Sequence, residues 1–123
     1  MEAAGESLGA DHAAANGDGR PVHVSPDFHA AIELIGRRWA GAILWSLSER
    51  PHYFAELTAS VPGLSDRLLS RRLRELESAG LVERSVSDGP PARVSYALTE
   101  KGRALEPALS ELADWAGDWK LSS

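Results

Sequence analysis

The stretch from Leu64 to Gly80, LSDRLLSRRLRELESAG, constrains the fold more than any other part of the chain. It opens with Ser65, a good helix-capping residue, and closes with Gly80, which suits the left-handed position after a helix. At about 100° per residue, its leucines fall on one side of a helix and its polar residues on the other. The apolar side holds Leu68, Leu69, Leu73 and Leu76, and the polar side holds Arg67, Ser70, Arg71 and Arg74. The stretch therefore predicts an amphipathic helix with a basic outer face.

The charge of this helix is opposite to that of the chain. The 123 residues carry a net charge of -5, whereas Ser65 to Arg74 contains four arginines and one acid and carries +3. Residues 1–27 contain five acids and one base, so they hold -4 of the total and leave -1 for the rest. A polyanion at close range responds to the local charge. We therefore interpret the helix as a DNA recognition helix. An ordinary amphipathic core helix is the alternative, and the acidic total predicts weak non-specific DNA binding.

The composition limits the classes of function. A chain of 123 residues with 43% apolar and 25% charged residues is typical of one soluble globular domain. It has no long apolar run and no signal-peptide pattern, which predicts a cytoplasmic protein. It has no cysteine, which excludes disulfides, thiolate metal sites and thiol redox sensing. The four histidines lack metal-ligand spacing, so neither a metal nor a cofactor is predicted.

Residues 1–24 differ in composition from the rest. They are rich in Ala, Gly and Asp and contain almost no large apolar residue. Such a segment buries too little surface to offset the entropy of ordering, so we expect a disordered acidic tail. A tail that competes with DNA for the basic helix is a less favoured possibility.

Residues 25–123 show a run of helices followed by a hairpin. A first helix opens at Ser25-Pro26-Asp27, a second covers about Arg38 to Ser48, and a third covers Tyr53 to Ser60. With the turn Val61 to Leu64 and the basic helix, the third predicts a helix-turn-helix over about residues 53–79. Two strands around the turn at Asp88 to Pro91 predict a wing hairpin over about 82–98. The expected fold is α+β and mostly helical, a winged helix-turn-helix.

The last predicted helix covers about residues 100–120, with Thr99 as its cap and Pro107 causing a kink or a late start. Its long apolar edge has nothing left in the chain to cover it. We therefore expect N- and C-terminal helices that form a homodimerisation region. Folding back of the last helix on the first, within one subunit, is the alternative.

These residues resemble the HxlR-type winged-helix transcription regulators of bacteria, within the MarR-like superfamily. The resemblance covers about Pro26 to Trp115 and implies a DNA-binding transcription regulator, which we expect to act as a repressor. Each matching fragment is weak alone, but together they stand in the right order and at the right separations. The fragments are residues 35–39, Phe54-Ala55-Glu56-Leu57, residues 62–65, residues 69–77, residues 80–84 and residues 91–102.

Two positions depart from the family pattern. Many members carry a cysteine just before the proline that opens the first helix, and some sense electrophiles or oxidants through it. Ser25 stands there in this chain. The basic residue that usually precedes Phe54 is Tyr53, preceded by His52. A phosphate contact at that site would be a hydroxyl or imidazole hydrogen bond, which is weaker than an ion pair.

The candidate DNA contacts follow from the chemistry of the side chains. Arginine pairs bidentately with guanine in the major groove, and a capped helix N-terminus holds a phosphate. A wing residue reaches the DNA backbone or the minor groove. A two-fold symmetric dimer requires a near-palindromic operator. The predicted DNA-binding residues are Ser65, Arg67, Ser70, Arg71, Arg74, Arg93, Tyr53 and His52, whereas Arg72 lies nearer the apolar side and is expected to be structural.

Aromatic residues suggest a second candidate site. Four tryptophans in a short chain fit either a pocket for a planar small-molecule effector or ordinary packing in the core and dimer interface. Packing is the favoured interpretation, and Trp45 is the exception because it lies off the apolar stripe of its helix. The residues of this candidate effector pocket or dimer interface are Phe28, Trp39, Trp45, Leu112, Trp115 and Trp119.

Two other classes of function remain as alternatives. No catalytic constellation can be assembled from these residues, so an enzyme is not predicted. A winged helix that binds only protein, without DNA, is the closer rival. The acidic total favours that rival, and the outward arginines argue against it.

Overall fold

The computed structural model of the protein describes residues 14–15 and 21–122. The chain divides after Ile35 into two compact units. In the first unit, two short strands, β1 (Ala14–Ala15) and β2 (Pro21–Val22), pair antiparallel and precede helix α1 (Pro26–Ile35). The sequence did not predict these strands. Most of the expected tail, residues 1–24, lies outside the described residues, so its disorder stays a prediction.

The second unit contains five helices and a three-stranded sheet. Its elements are α2 (Ala40–Glu49), β3 (His52–Tyr53), α3 (Phe54–Ser60), α4 (Asp66–Ser78), β4 (Val82–Val86), β5 (Val94–Leu98), α5 (Glu100–Ala104) and α6 (Glu106–Asp118). Helices α3 and α4 with the turn between them form the helix-turn-helix, and β4 and β5 form the wing. The winged helix-turn-helix class predicted from the sequence is therefore confirmed. The dimerisation role of the terminal helices stays a prediction.

The core of this unit lies between α2, α3, α4 and the sheet. Burying a large aliphatic side chain stabilises a fold by about 1.5–3 kcal/mol, so these contacts dominate its stability. The predicted apolar faces of α2 and α4 supply most of the core. The largest fully buried side chains are Ile43, Leu44, Leu57, Leu69, Leu73, Leu76 and Val82.

Helix α2 begins two residues later than its pattern predicts. Trp39 precedes the helix and has a left-handed backbone with φ of 76°, which is uncommon for a residue other than glycine. Its ring lies next to Gly63, in the turn between α3 and α4, where φ is 90°. Trp39 therefore packs against the turn of the helix-turn-helix. It does not belong to the apolar stripe of α2.

The sheet has one strand more than the predicted hairpin. Strand β3 pairs antiparallel with β5, so that His52 lies opposite Tyr96 and Tyr53 lies opposite Ser95. On its other side β5 pairs with β4, from Val82 opposite Leu98 to Val86 opposite Val94. The order β3-β5-β4 joins the wing directly to the segment that starts α3.

The predicted last helix is divided at Leu105 into α5 and α6. Pro107 lies in the first turn of α6, where its missing N–H costs nothing. Thr99 caps α5 as predicted, since its Oγ1 accepts a hydrogen bond from the Gly102 N–H at 3.1 Å. The same hydroxyl donates to the Gly80 carbonyl at 2.5 Å, and the Lys101 ammonium donates to the Ala79 carbonyl at 2.7 Å. These bonds fasten α5 to the end of α4.

Gly102 is required at this junction because the backbone of Leu81 passes against it. A Cβ at position 102 would collide with the Leu81 carbonyl oxygen and lie 3.2 Å from Leu98 Cδ2. We expect Gly102→Ala to lower the free energy of unfolding by about 1–3 kcal/mol, the range for overpacking. Urea denaturation measures this change.

Gly117→Ala is the matched control, since a Cβ at this helical position meets nothing within 4 Å. Because alanine favours a helix over glycine, the control should be neutral or stabilising by up to about 1 kcal/mol. Equal stability of Gly102→Ala and the wild type would contradict the close approach of Leu81.

Candidate nucleic-acid interface

Helix α4 presents its polar side to solvent, as the sequence predicts. Its N-terminus is capped by Ser65, whose Oγ accepts a hydrogen bond from the Leu68 N–H at 3.1 Å. Its leucine face is buried, which turns the opposite face outward. Arg67, Arg71 and Arg74 are exposed on that face, and Ser70 lies half-buried among them. The structure thus brings together the predicted residues of the recognition helix.

Arg72 has the structural role expected from its position. Its Nε donates to the Arg38 carbonyl at 2.8 Å, and its NH1 lies 3.1 Å from Glu75 Oε1. The other oxygen of Glu75 pairs with Arg37 at 2.8 Å. These bonds attach the middle of α4 to the loop before α2. The roles of Glu75 and Arg37 could not be predicted from the sequence, because their pairing depends on which loop packs against the helix.

Glu56 fixes the start of α3, the first helix of the helix-turn-helix. Its Oε1 accepts a hydrogen bond from the Tyr53 N–H at 2.8 Å, and Arg50 donates to both of its oxygens at 3.3 and 3.2 Å. The Tyr53 N–H, followed by Arg50, lowers the pKa of Glu56 from its usual 4.5. The signal in the sequence was a glutamate three residues after the capping position.

A side-chain bond also joins the two helices of the motif. The Thr58 hydroxyl lies 3.2 Å from Asp66 Oδ1 and from the Phe54 carbonyl. The C-terminal half of α3 is thereby tied to the first turn of α4. The angle between the two helices is thus held by polar contacts as well as by the core.

The structure removes His52 from the candidate DNA contacts. Its side chain is buried at 5% exposure, and its Nδ1 lies 2.8 Å from the Arg50 carbonyl oxygen. The cause is β3, which places His52 opposite Tyr96 on the core side of the sheet. The prediction that His52 contacts a phosphate is therefore wrong. Without the unpredicted strand β3, the sequence gave no reason to bury this residue.

Tyr53 and Arg93, predicted separately, are in contact with each other. The Arg93 guanidinium carbon lies 3.5 Å from the centroid of the Tyr53 ring. Tyr53 is half-buried and immediately precedes α3, and Arg93 is exposed just before β5. A wing residue is thus held beside the helix-turn-helix.

The six residues of the candidate effector pocket lie in different surroundings. Trp39 lies against Gly63, as described above, whereas Trp45 is 45% exposed on α2. Trp45 lines a cavity of about 130 Å³ with Ser48, Glu49, Glu106, Leu109 and Ser110. Phe28 belongs to the first unit. Leu112 and Trp115 are exposed on α6, and Trp119 is exposed directly after it. An effector site at these residues stays a prediction.

Other kinds of site find no support in the described part of the chain. Within residues 21–122 no three side chains of His, Cys, Asp or Glu form a group able to hold a metal ion. None of the described helices is long and apolar enough to cross a membrane.

Comparison with known proteins assigns the fold to a family. The HxlR-like helix-turn-helix family matches residues 34–123. The chain belongs to this family.

Two relatives are similar to this chain over most of their own length. YvaP of Bacillus subtilis, an uncharacterized HTH-type transcriptional regulator, is 43% identical over 94 residues, which are 76% of this chain and 87% of YvaP. The HTH-type transcriptional regulator YodB of the same organism is 42% identical over 91 residues, 74% of this chain and 81% of YodB.

Solved structures give the same result. The reduced form of YodB matches with a TM-score of 0.71 at 41% identity, covering 76% of this chain and 91% of YodB. The redox regulator HypR in its oxidised form matches with a TM-score of 0.71 at 33% identity, over 75% of this chain and 95% of HypR. The protein is therefore a DNA-binding transcription regulator, and the relatives named above are transcription regulators.

The bonds of Glu56 predict a pH-dependent contribution to stability. Because folding lowers the pKa of this carboxyl, the stabilisation is present above about pH 4.5 and is lost as the pH falls through the folded pKa below that value. We expect Glu56→Gln to unfold at lower urea concentration than the wild type at pH 7. The difference should shrink below pH 4.5.

Glu83→Gln, at an exposed position of β4, is the control and should match the wild type at each pH. A constant difference between Glu56→Gln and the wild type from pH 7 to pH 3 would contradict a role for the ionised carboxylate.

Proposed function

We propose that this protein represses transcription as a homodimer that docks on a near-palindromic operator. One observation carries the proposal: the exposed arginines of α4 lie opposite its buried leucine face, on a helix fixed at its N-terminus, middle and C-terminal end. A rigid helix with an outward basic face fits the major groove, which is wide enough to admit a helix.

The arginines of α4 and the capping residue Ser65 have different proposed roles. Arg71 and Arg74 pair with guanine O6 and N7, where a planar guanidinium makes two parallel hydrogen bonds. Ser65 uses its oxygen to cap Leu68, which leaves its O–H free to donate to a phosphate. Together with the first N–H groups of α4, this hydroxyl would hold the DNA backbone at the groove edge. Arg67 and Ser70 complete the surface.

Dimerisation is supported by the exposed apolar face of α6. In the single chain Leu112 is 53% exposed, Trp115 is 51% exposed and Trp119 is 72% exposed. Such large side chains at helical spacing favour burial against a second copy. In the first unit α1 likewise exposes Phe28 and Ile32. A two-fold axis would set the two α4 helices about 34–36 Å apart, which is one turn of DNA.

Repression is the simplest consequence of this docking. A dimer seated on an operator that overlaps a promoter excludes the polymerase without any further contact.

Since the chain contains no cysteine, thiol oxidation within these residues cannot release the dimer from the operator. We propose a non-covalent small-molecule effector instead, with the cavity beside Trp45 as the candidate site. Titration of small molecules into the protein–DNA complex tests this step.

A winged helix that binds only protein is the alternative function. It predicts that the arginines of α4 have no effect on DNA affinity. We expect Arg71→Ala and Arg74→Ala each to weaken binding about 5- to 100-fold, since a bidentate base contact contributes about 1–3 kcal/mol. Fluorescence anisotropy across a salt series, with DNA from upstream of the protein's own gene, measures the affinity.

Glu77→Ala is the matched control, because Glu77 is exposed at the other end of the same helix. It should leave the affinity unchanged or slightly higher. Circular dichroism of every variant checks folding. Wild-type affinity in folded Arg71→Ala and Arg74→Ala would favour the protein-binding alternative.

The dimer proposal predicts the effect of a charge placed on α6. Leu112→Arg buries an unpaired cation if the helix face is an interface, so we expect monomers at micromolar concentration. Sedimentation equilibrium measures the mass. Asp114→Arg introduces the same side chain at another exposed position, two residues further on, and should remain dimeric. A dimer in both variants would contradict this interface, and so would a monomeric wild type.

A further inference from the structure

The contact between Arg93 and Tyr53 follows from the register of the sheet. Tyr53 lies opposite Ser95, and Arg93 stands two residues before Ser95 on the same face. Arg93 is thus a diagonal neighbour of Tyr53, a separation that long and aromatic side chains bridge. The guanidinium carbon, 3.5 Å from the ring centroid, is within the range of a strong cation–π contact.

Arg93 is fixed at its backbone as well as at its side chain. Its N–H donates to Ser87 Oγ at 2.9 Å, and its carbonyl accepts from the Ser87 N–H at 2.9 Å. Its guanidinium has no carboxylate partner within 4.0 Å among the described residues, in contrast to Arg37, Arg50 and Arg72. A stacked guanidinium keeps the N–H groups along its edge free, because stacking uses only its face. Arg93 therefore offers oriented hydrogen-bond donors and an unbalanced charge.

We infer that Tyr53 is a positioning residue that holds Arg93 for a contact with a DNA backbone phosphate. The inference rests on the proposed DNA-binding function and refines it. Stacking places the guanidinium of Arg93, just before β5, over the neighbouring strand β3 and the start of α3. Reading the minor groove requires a side chain that extends from the wing into the groove. The observed position fits a phosphate beside the helix-turn-helix, so Arg93 contributes affinity and not base specificity.

This role predicts that replacing Tyr53 or Arg93 changes DNA affinity and its salt dependence in the same way. A phosphate contact weakens binding to all sequences alike and lowers the salt slope of log K by about one when it is removed. Loss of the Tyr53 ring should have the same effect as loss of Arg93, because the guanidinium would no longer be held in place. The Tyr53 hydroxyl should be dispensable, since the ring face makes the contact.

The test compares Tyr53→Phe, Tyr53→Ala, Arg93→Ala and the double alanine variant. The probe is a 30-base-pair duplex of random sequence, titrated by anisotropy from 25 to 200 mM salt (roughly the range in which phosphate contacts are resolved). We expect Tyr53→Phe to bind like the wild type. Both single alanine variants should bind about 5- to 10-fold more weakly with a slope smaller by about one, and the double variant should be no weaker than Arg93→Ala.

The wild type and Arg93→Ala are then each used to select duplexes from a random library. We expect the two proteins to show the same base preference. Thermal denaturation checks folding, and Tyr53→Leu replaces Tyr53→Ala if the latter is unstable. Three results would overturn the inference: wild-type affinity in folded Tyr53→Ala, additive losses in the double variant, or altered base preference in Arg93→Ala. A wild type that binds no duplex would instead refute the proposed function, and the inference with it.

Discussion

Burial of the leucine face of α4 is the constraint on which the proposed DNA-binding surface depends. Leu69, Leu73 and Leu76 are at most 1% exposed, and replacing one such residue by alanine costs about 2–5 kcal/mol. The helical period then decides which residues face outward, so the arginines are displayed because the leucines are hidden. Rotating α4 to hide the arginines would expose those leucines to water. The outer side chains can therefore change, as a different operator would require, without changing the core.

Acidic side chains select which arginines remain available to DNA. Glu75 uses one oxygen for Arg72 and the other for Arg37, and Glu56 pairs with Arg50. These three arginines are committed to joining helices and loops. The charge counted along the sequence therefore overstates the charge that α4 presents, because Arg72 is balanced by a residue one turn further on. The arginines without a carboxylate partner among the described residues include the exposed ones of α4, and Arg93 held at the wing. Positioning of a few cations, more than total charge, reconciles DNA binding with an acidic chain.

The parts predicted from sequence are those whose cause is local. The cap at Ser65, the leucine stripe of α4 and the turn at Asp88 to Pro91 all follow from neighbouring residues. So do the start of α1, the bounds of α3 and those of the wing hairpin, to within a residue or two. The missed parts depend on distant residues. Strand β3 exists only because β5, some forty positions later, offers it a ladder, and this ladder buries His52 and joins Tyr53 to Arg93. The collision that forbids a side chain at Gly102 likewise arises only after Leu81 has packed against it.

The start of α1 is held by a hydroxyl group. Ser25 precedes the helix, and its Oγ accepts a hydrogen bond from the Phe28 N–H at 3.3 Å. Serine is among the best residues for this capping position, so the helix start is stabilised by a hydroxyl that oxidants do not modify. With no thiol in the chain, the non-covalent effector proposed above would act through binding free energy, by favouring one arrangement of the protein over another. Such a signal is reversible by dilution, whereas oxidation of a thiol needs a reductant to undo it.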